Sequence, residues 1–534
     1  MEFNLVDLFE SVADALPADR EAVVEYGDPG KRLTYLELDA RANRLAHHLL
    51  AAGLTPGAHV AIQLTNRIEY VEALVACLKA RVVPLNVNYR YVEEELLYLF
   101  NDADIDALIV SAEFADRVAA VRDRVPTLKH IITVGGASDA LPDAVEYEDA
   151  LAAQSPTRDG LPKRSQDDLY IIYTGGTTGM PKGVMWRQED IFFSGMGGGN
   201  PVGEPVSRPE EIAEQVVSKY PLVMFPTAPL MHGAAQLTVW IAFQSGNKVV
   251  LLPKFDGADV VRAISKEKVN TINLVGDAMA RPLVEALNGE CKDLDVSSWI
   301  ATSSAGAILS QATRDDLKAV LPNMVIIDSF GATEVGFMGS AAEGSSPDKG
   351  LRFQVNKHTL VIDDDHKIVE PGSGGIGRVA LRGHVPLGYY GDEEKTKATF
   401  VTIDGHRHVI LGDLGRPEAD GTVSVLGRAA AMVNTGGEKV FPEEVEAAVK
   451  AHPDVYDVVV CGVPDPKYGE RVAAVVQLRD GVKLDTDALS EHTRTRVAGY
   501  KVPRVWVEVD EVLRSPSGKP DYPWAKKTAT AAVS

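Results

Sequence analysis

Cysteine is scarce: 534 residues hold three, Cys77, Cys291 and Cys461. They lie far apart and form no CxxC pair, so neither a disulfide framework nor a zinc site is expected, and a reducing compartment fits. Positive charge is short as well. Lys and Arg number 54 against 76 Asp and Glu, a net charge of −22, which argues against nucleic acid as a partner. A polyphosphate ligand would have to be met by cations gathered locally. No apolar run approaches the roughly eighteen residues a membrane span needs. The opening stretch MEFNLVDLFESVADALPADR is acidic and amphipathic, unlike a signal or transit peptide. The expectation is a cytoplasmic protein with no integral membrane segment; peripheral membrane contact and a homodimer stay open.

What is present is an alternation of short apolar runs and helical patterns. Thr34 and Glu37 fit a capping box opening a helix that should stop at Gly53. AHVAIQL, VVPLNV and DALIV follow with helices between them, then LYIIYT, LVMFPT, KVVLLP, TINLVG and MVIIDSF. Such alternation implies α/β layers with substantially parallel sheets, and ligands near the carboxyl ends of the strands. After about residue 350 short strand-like runs rich in glycine suggest a small β-rich subdomain. From about 429 a smaller α+β unit begins, with helices at 442–450 and 485–498 and strands near 455–463, 471–478 and 504–509. The Gly/Pro-rich stretch 194–211 reads as a long loop.

The most informative stretch is YTGGTTGMPKG, beginning at Tyr173. Gly175, Gly176 and Gly179 allow backbone N–H groups to turn toward one anion. Thr174, Thr177 and Thr178 add hydroxyls, and Lys182 adds charge. It is not a Walker A loop, because Pro181 precedes the lysine, Gly183 follows it, and VMW after that reads as a strand. A phosphate-holding strand–loop–strand is the expectation.

Further motifs follow in order: PLMHGA at 229, DSFGATE at 328, GSGGIGRVALRG at 372, ILGDLG at 410, GRAAAMVNTGGEKVFPEEVE at 427 and RSPSGKPDY at 514. Together they resemble the acyl-adenylate-forming family of acyl-CoA synthetases, luciferases and peptide-synthetase adenylation domains, over nearly the whole chain. The resemblance implies an α/β fold. A large N-terminal domain, 1–428, of layered sheets is followed by a small mobile α+β lid, 429–534, with the site between them. It implies ATP, Mg2+ and CoA, and conversion of a carboxylic acid through an acyl-AMP to an acyl-CoA. It places Phe330 on adenine, Asp328 near its amino edge, Thr333 at the α-phosphate and Glu334 on magnesium. Asp413 and Arg428 would contact the ribose. Lys519 would reach the α-phosphate and the substrate carboxylate, making Lys519, Thr333 and Glu334 the candidate catalytic residues. Gly436 and Gly437 would lie along the pantetheine arm of CoA.

His232, Gly233, Ala305 and Gly306 are candidates for the acyl pocket, whose walls are expected from 191–199, 232–236, 276–281 and 303–307. The small residues there, Gly197, Gly198 and Gly199 among them, suggest room for a wide apolar ligand. Two departures stand out: Ala430 where the family carries Asp or Lys as the lid pivot, and VMWRQEDI after the lysine loop. The latter, with GDAMARPLVEAL and the tail GYKVPR, narrows the resemblance to actinobacterial acyl-CoA ligases of sterol side-chain catabolism. A bulky hydrophobic acid, a steroid side-chain or medium- to long-chain fatty acid, is the expected substrate. The alternatives are a ligase for aryl or other acids, an amino-acid-activating domain and a non-catalytic nucleotide-binding homologue. Leu230-Met231-His232 disfavours the amino acid, and Glu334 with Lys519 disfavours the dead scaffold.

Overall fold

The computed structural model describes residues 1–27, 30–174, 180–201, 203–307, 309–342, 345, 351–435, 438–514 and 518–533. The capping box forms as the sequence implies. Thr34 Oγ1 accepts from the Glu37 N–H at 3.2 Å, and a Glu37 carboxylate oxygen accepts from the Thr34 N–H at 2.8 Å. The helix Tyr35–Ala51 follows, and Gly53 leaves it with φ +87°, a region open to glycine without steric cost. It packs on the helix Ile68–Lys79, which crosses over between the parallel strands His59–Gln63 and Val83–Asn86. Those strands belong to a five-stranded sheet whose recorded pairings are all parallel.

A second sheet runs through Glu21–Glu25, Lys248–Leu251, Val223–Pro226, Thr271–Leu274, Ala301–Ser304 and Val325–Ala332, all paired in parallel. The last strand carries two pairings. Residues 325–328 pair in parallel with Ala301–Ser304, and 329–332 pair antiparallel with Gly336–Ala341. The β-rich region expected after 350 is present and antiparallel, and it hangs from this strand. The two regions therefore form one fourteen-stranded sheet, thirteen strands on a continuous hydrogen-bonded path and Phe400–Ile403 branching from it beside His406–Pro417. Leu169–Thr174 and Lys182–Arg187 form the antiparallel strand–loop–strand element, with Gly388–Tyr389 as a third strand.

The C-terminal unit is a five-stranded sheet with the helices Pro442–Lys450, Thr486–Arg494 and Tyr522–Val533. Its strand Val455–Asp465 sends Val458 and Val460 into one core, and Val459, Cys461 and Val463 into the other. A strand buried on both faces explains its unbroken apolar run.

Two expectations fail. The stretch 194–211 is not one open loop: the helix Gln188–Gly195 ends inside it, Gly197–Gly199 make one tight turn, and the helix Glu210–Val216 begins inside it. Nor do its glycines leave volume. A Cβ on Gly198 would stand 2.5 Å from Pro205 Cβ, and one on Gly199 2.2 Å from Ile212 Cδ1. They permit close packing rather than line a cavity. Among the described residues no helix is long and apolar enough to cross a membrane.

Candidate active site

The hairpin turn after Val325–Ala332 carries Thr333 and Glu334, and it is held from outside. Trp186 Nε1 donates to the Thr333 carbonyl at 3.1 Å, and Ser194 Oγ donates to the Val335 carbonyl at 2.8 Å. Gly336 has φ +65°, and a Cβ there would lie 2.7 Å from the Ser194 carbonyl oxygen, so no larger residue fits. Trp186, where the sequence departs from the family pattern, is fully buried and braces this turn. The Glu334 carboxylate accepts from the Tyr389 hydroxyl at 2.9 Å. Burial, and then Glu334 itself, push the Tyr389 phenol well above its usual range, so it stays a donor.

Asp413 and Arg428 face each other across the antiparallel strands His406–Pro417 and Val423–Arg428, with Nε 3.6 Å from Oδ1. Burial pushes the Asp413 carboxyl up, Arg428 opposes this, Glu334 adds to it and Lys519 opposes it. Lys519 comes from the other unit and is half-buried. Burial pushes its ammonium pKa down, Arg428 adds to that, and Glu334 and Asp413 pull the other way. A Cβ on Gly306 would sit 3.7 Å from Lys519 Cε. Two carboxylates and two cations thus converge from the large sheet, its antiparallel extension and the C-terminal unit.

His232 joins them. Burial, then Lys519 and Arg90, lower its pKa to about 4, so its imidazole is neutral at pH 7. Its Nε2 is buried without a hydrogen-bond partner among the described residues. Gly233 opens the helix Gly233–Gln244, and a Cβ there would press on Ile172 at 3.2 Å. Ala305 and Gly306 follow the strand Ala301–Ser304; Ala305 is half-buried and Gly306, at φ +80°, is exposed.

The remaining candidates stand as follows. Thr174 ends its strand opposite Lys182, whose ammonium pairs with Asp392, the residue that caps the helix Glu393–Thr399. Asp328 is buried and held by Arg314 at both oxygens; burial raises its pKa and Arg314 opposes that. Phe330 lies 5.2 Å from the Phe353 ring, tilted by 36°. Gly175, Gly176, Thr177, Thr178, Gly179, Gly436 and Gly437 lie outside the described residues. The segment 276–281, expected along the acyl pocket, instead sends Met279 and Ala280 into a core cluster and Asp277 and Arg281 toward the C-terminal unit.

The AMP-binding enzyme family matches residues 9–390, and its C-terminal domain matches residues 444–519. The chain belongs to the AMP-binding enzyme family. It is similar to a medium/long-chain-fatty-acid–CoA/3-oxocholest-4-en-26-oate–CoA ligase of Mycolicibacterium smegmatis, 47% identical over 535 residues, 98% of this chain and 96% of the relative. A 3-oxocholest-4-en-26-oate–CoA ligase of Rhodococcus rhodochrous is 47% identical over 536 residues, with 98% and 96% covered. Both agree with the narrower resemblance read from VMWRQEDI, GDAMARPLVEAL and GYKVPR. ATP-bound MatB from Rhodopseudomonas palustris superposes with a TM-score of 0.80 at 25% identity, covering 100% of both chains. An anthranilate CoA ligase, AuaEII, in complex with anthranoyl-AMP shares the fold, with a TM-score of 0.84 at 23% identity, covering 99% of this chain and 98% of that one.

For this AMP-binding enzyme, motif reading missed the partners of the site residues: Tyr389 for Glu334, Arg314 for Asp328 and Asp392 for Lys182. Arg314 stands fourteen residues before Asp328. The others lie 55 and 210 residues away in sequence, and no local pattern announces such pairs.

Proposed function

We propose that the chain is an ATP-dependent acyl-CoA ligase that activates a bulky hydrophobic carboxylic acid through an acyl-AMP and releases AMP and pyrophosphate. The observation that carries this reading is the convergence of half-buried Lys519, from the small unit, with Glu334, Asp413 and Arg428 of the large one, close enough for each to act on its neighbours' charge. A carboxylate is a poor acyl donor because its oxygen leaves badly. Attack on the α-phosphate makes that oxygen part of AMP, a good leaving group, and a thiol then displaces it. Both reactants are supplied by the substrates, so the protein's task is to position polyanions and stabilise charge.

In this reading Lys519 bridges the substrate carboxylate and the α-phosphate, Thr333 donates to that phosphate, and Asp413 with Arg428 receives the ribose. Phe330 stacks on adenine, and Asp328, fixed by Arg314, lies near its amino edge. The loop from Thr174 to Lys182 holds the outer phosphates, with Lys182 exchanging Asp392 for phosphate. Glu334 fits Mg2+: a carboxylate oriented by Tyr389 is a hard oxygen donor. Bound there, the ion would neutralise phosphate charge. Neutral His232 lies beside Lys519 at the acyl side. The lid changes partner between half-reactions: Lys519 serves the first, and Gly436 and Gly437 approach the pantetheine arm in the second. We place the enzyme in the cytoplasm.

The steroid and fatty acids named for the relatives support an apolar substrate. Each buried methylene should add about 0.8 kcal/mol. A steroid side-chain acid or long fatty acid should therefore exceed acetate and benzoate by at least about a hundredfold in kcat/KM. Pyrophosphate and AMP release measured across such a panel checks this. ADP as product would remove the ligase reading; acetate or benzoate as best substrate would remove the pocket reading alone.

A further inference from the structure

The helix Gly276–Asn288 belongs to the large unit, and its first turns face the small one. Asp277 and Arg281 are one turn apart and both buried, with Arg281 Nη2 3.3 Å from Asp277 Oδ2. Asp277 Oδ1 accepts from the Ser310 N–H at 2.8 Å, which fixes the carboxylate within its own unit. Its other oxygen faces across the boundary to Lys450, 3.8 Å away, both side chains being 5% exposed. Arg281 reaches across as well. Its Nη1 donates to the Tyr456 carbonyl, and its guanidinium lies 5.1 Å from the Tyr456 ring centroid.

Inside the small unit the contacts continue toward Lys519. Lys450 Nζ lies 2.8 Å from Asp457 Oδ1. Asp457 accepts two bonds from Arg514, Nε at 2.6 Å and Nη2 at 2.7 Å. Burial raises the Asp457 pKa, but Lys450 and Arg514 outweigh it and hold the carboxyl well below its usual range. Arg514 then uses Nη1 to donate to the Gly518 carbonyl at 3.1 Å. Gly518 has φ +76°, and a Cβ on it would stand 2.9 Å from Val275 Cγ1, one residue before the same helix. The loop carrying Lys519 is therefore seated at the start of this helix twice, by direct packing on Val275 and through Asp277, Lys450, Asp457 and Arg514.

The geometry points to Asp277, Arg281 and Lys450 as positioning residues for the adenylation step: an ionic latch that holds the small unit where Lys519 enters the site. None of them touches the site itself; they act through Asp457 and Arg514 on the Gly518–Lys519 backbone. Of the contacts in this chain, those of Asp277 and Arg281 cross between units, and a movement of the lid breaks them, whereas Asp457–Arg514 travels with the lid. Buried ion pairs suit this task, because a fixed partner geometry selects one arrangement even where the net stabilisation is small. The inference rests on the ligase reading for its kinetic part alone.

The test uses the full chain with Asp277→Asn, Arg281→Gln and Lys450→Met. Asparagine keeps an acceptor for the Ser310 N–H, so its fold is retained. Pyrophosphate formation from ATP and acid should fall by about tenfold to a hundredfold, as misplacement of a remote support does. Thioester formation from supplied acyl-AMP and CoA should stay within about twofold, since a group used in one step is lost from that step alone. A spectroscopic distance is read in parallel between labels on Lys318→Cys and Asp480→Cys. The three native cysteines are buried and free. The distance should be single in the parent protein and broadened in the latch variants. This second readout needs no turnover, so it stands if no acid is adenylated. A parent-like distance with unimpaired pyrophosphate formation overturns the latch. Equal loss in both half-reactions at a parent-like distance overturns it too.

Discussion

Trp186 shows what one residue contributes at this site. Its indole is fully buried and its N–H satisfies the carbonyl of Thr333, beside Glu334. Trp186→Phe keeps an aromatic ring but leaves that carbonyl without its donor, at a cost of about 1–3 kcal/mol. The turn should loosen, so kcat should fall more than KM rises; steady-state kinetics with a thermal melt checks this, and unchanged kcat would remove Trp186 from the positioning of Glu334. DSFGATE, LGDLG and RSPSGK singled out candidate residues in the sequence through their order and their resemblance to a family. Tyr389, Arg314 and Asp392 were not readable there, because a partner is chosen by the fold rather than by its neighbours in sequence.

Elements carry their own signals to different degrees. The helix Tyr35–Ala51 was legible from Thr34, Glu37 and Gly53, since caps are local chemistry. The helix Pro442–Lys450 was legible too, yet not what it encloses. Glu446 on its inner face accepts from the Val460 N–H at 2.9 Å. Burial, with Glu443 adding, pushes its carboxyl up to about 7. The folded pKa exceeds the unfolded one, so the native state binds more protons between them. This group's contribution is complete below about pH 4.5 and is lost as pH rises through about 7. Glu446→Gln preserves the acceptor and removes the titration. Its stability relative to the parent should rise across that window by about 2–3 kcal/mol. Denaturant melts of both proteins at several pH values would show it; a pH-independent difference would mean that Glu446 is already ionised.

At the scale of the whole molecule, a chain of net charge −22 gathers Lys519 and Arg428 at one point between its units. Local concentration of cations is what a polyphosphate requires of so acidic a protein. That a large α/β unit is followed by a small one was legible from the change in texture along the chain. That the antiparallel region continues the parallel sheet was not, because the double pairing of Val325–Ala332 is a matter of long-range register. The packing of Gly198 and Gly199 was equally hidden, since glycine makes loops, cavities and tight contacts with the same letter.

The central claim is that Lys519 brings the small unit's charge to the adenylation step and withdraws from the next. The most direct measurement takes Lys519→Ala through the two half-reactions separately, with a fatty or steroid acid. Pyrophosphate formation should fall by roughly two to three powers of ten, as when one preorganised charge donor is removed. Acyl transfer from supplied acyl-AMP to CoA should be largely retained. Equal loss in both steps, or full pyrophosphate formation without Lys519, would contradict the account.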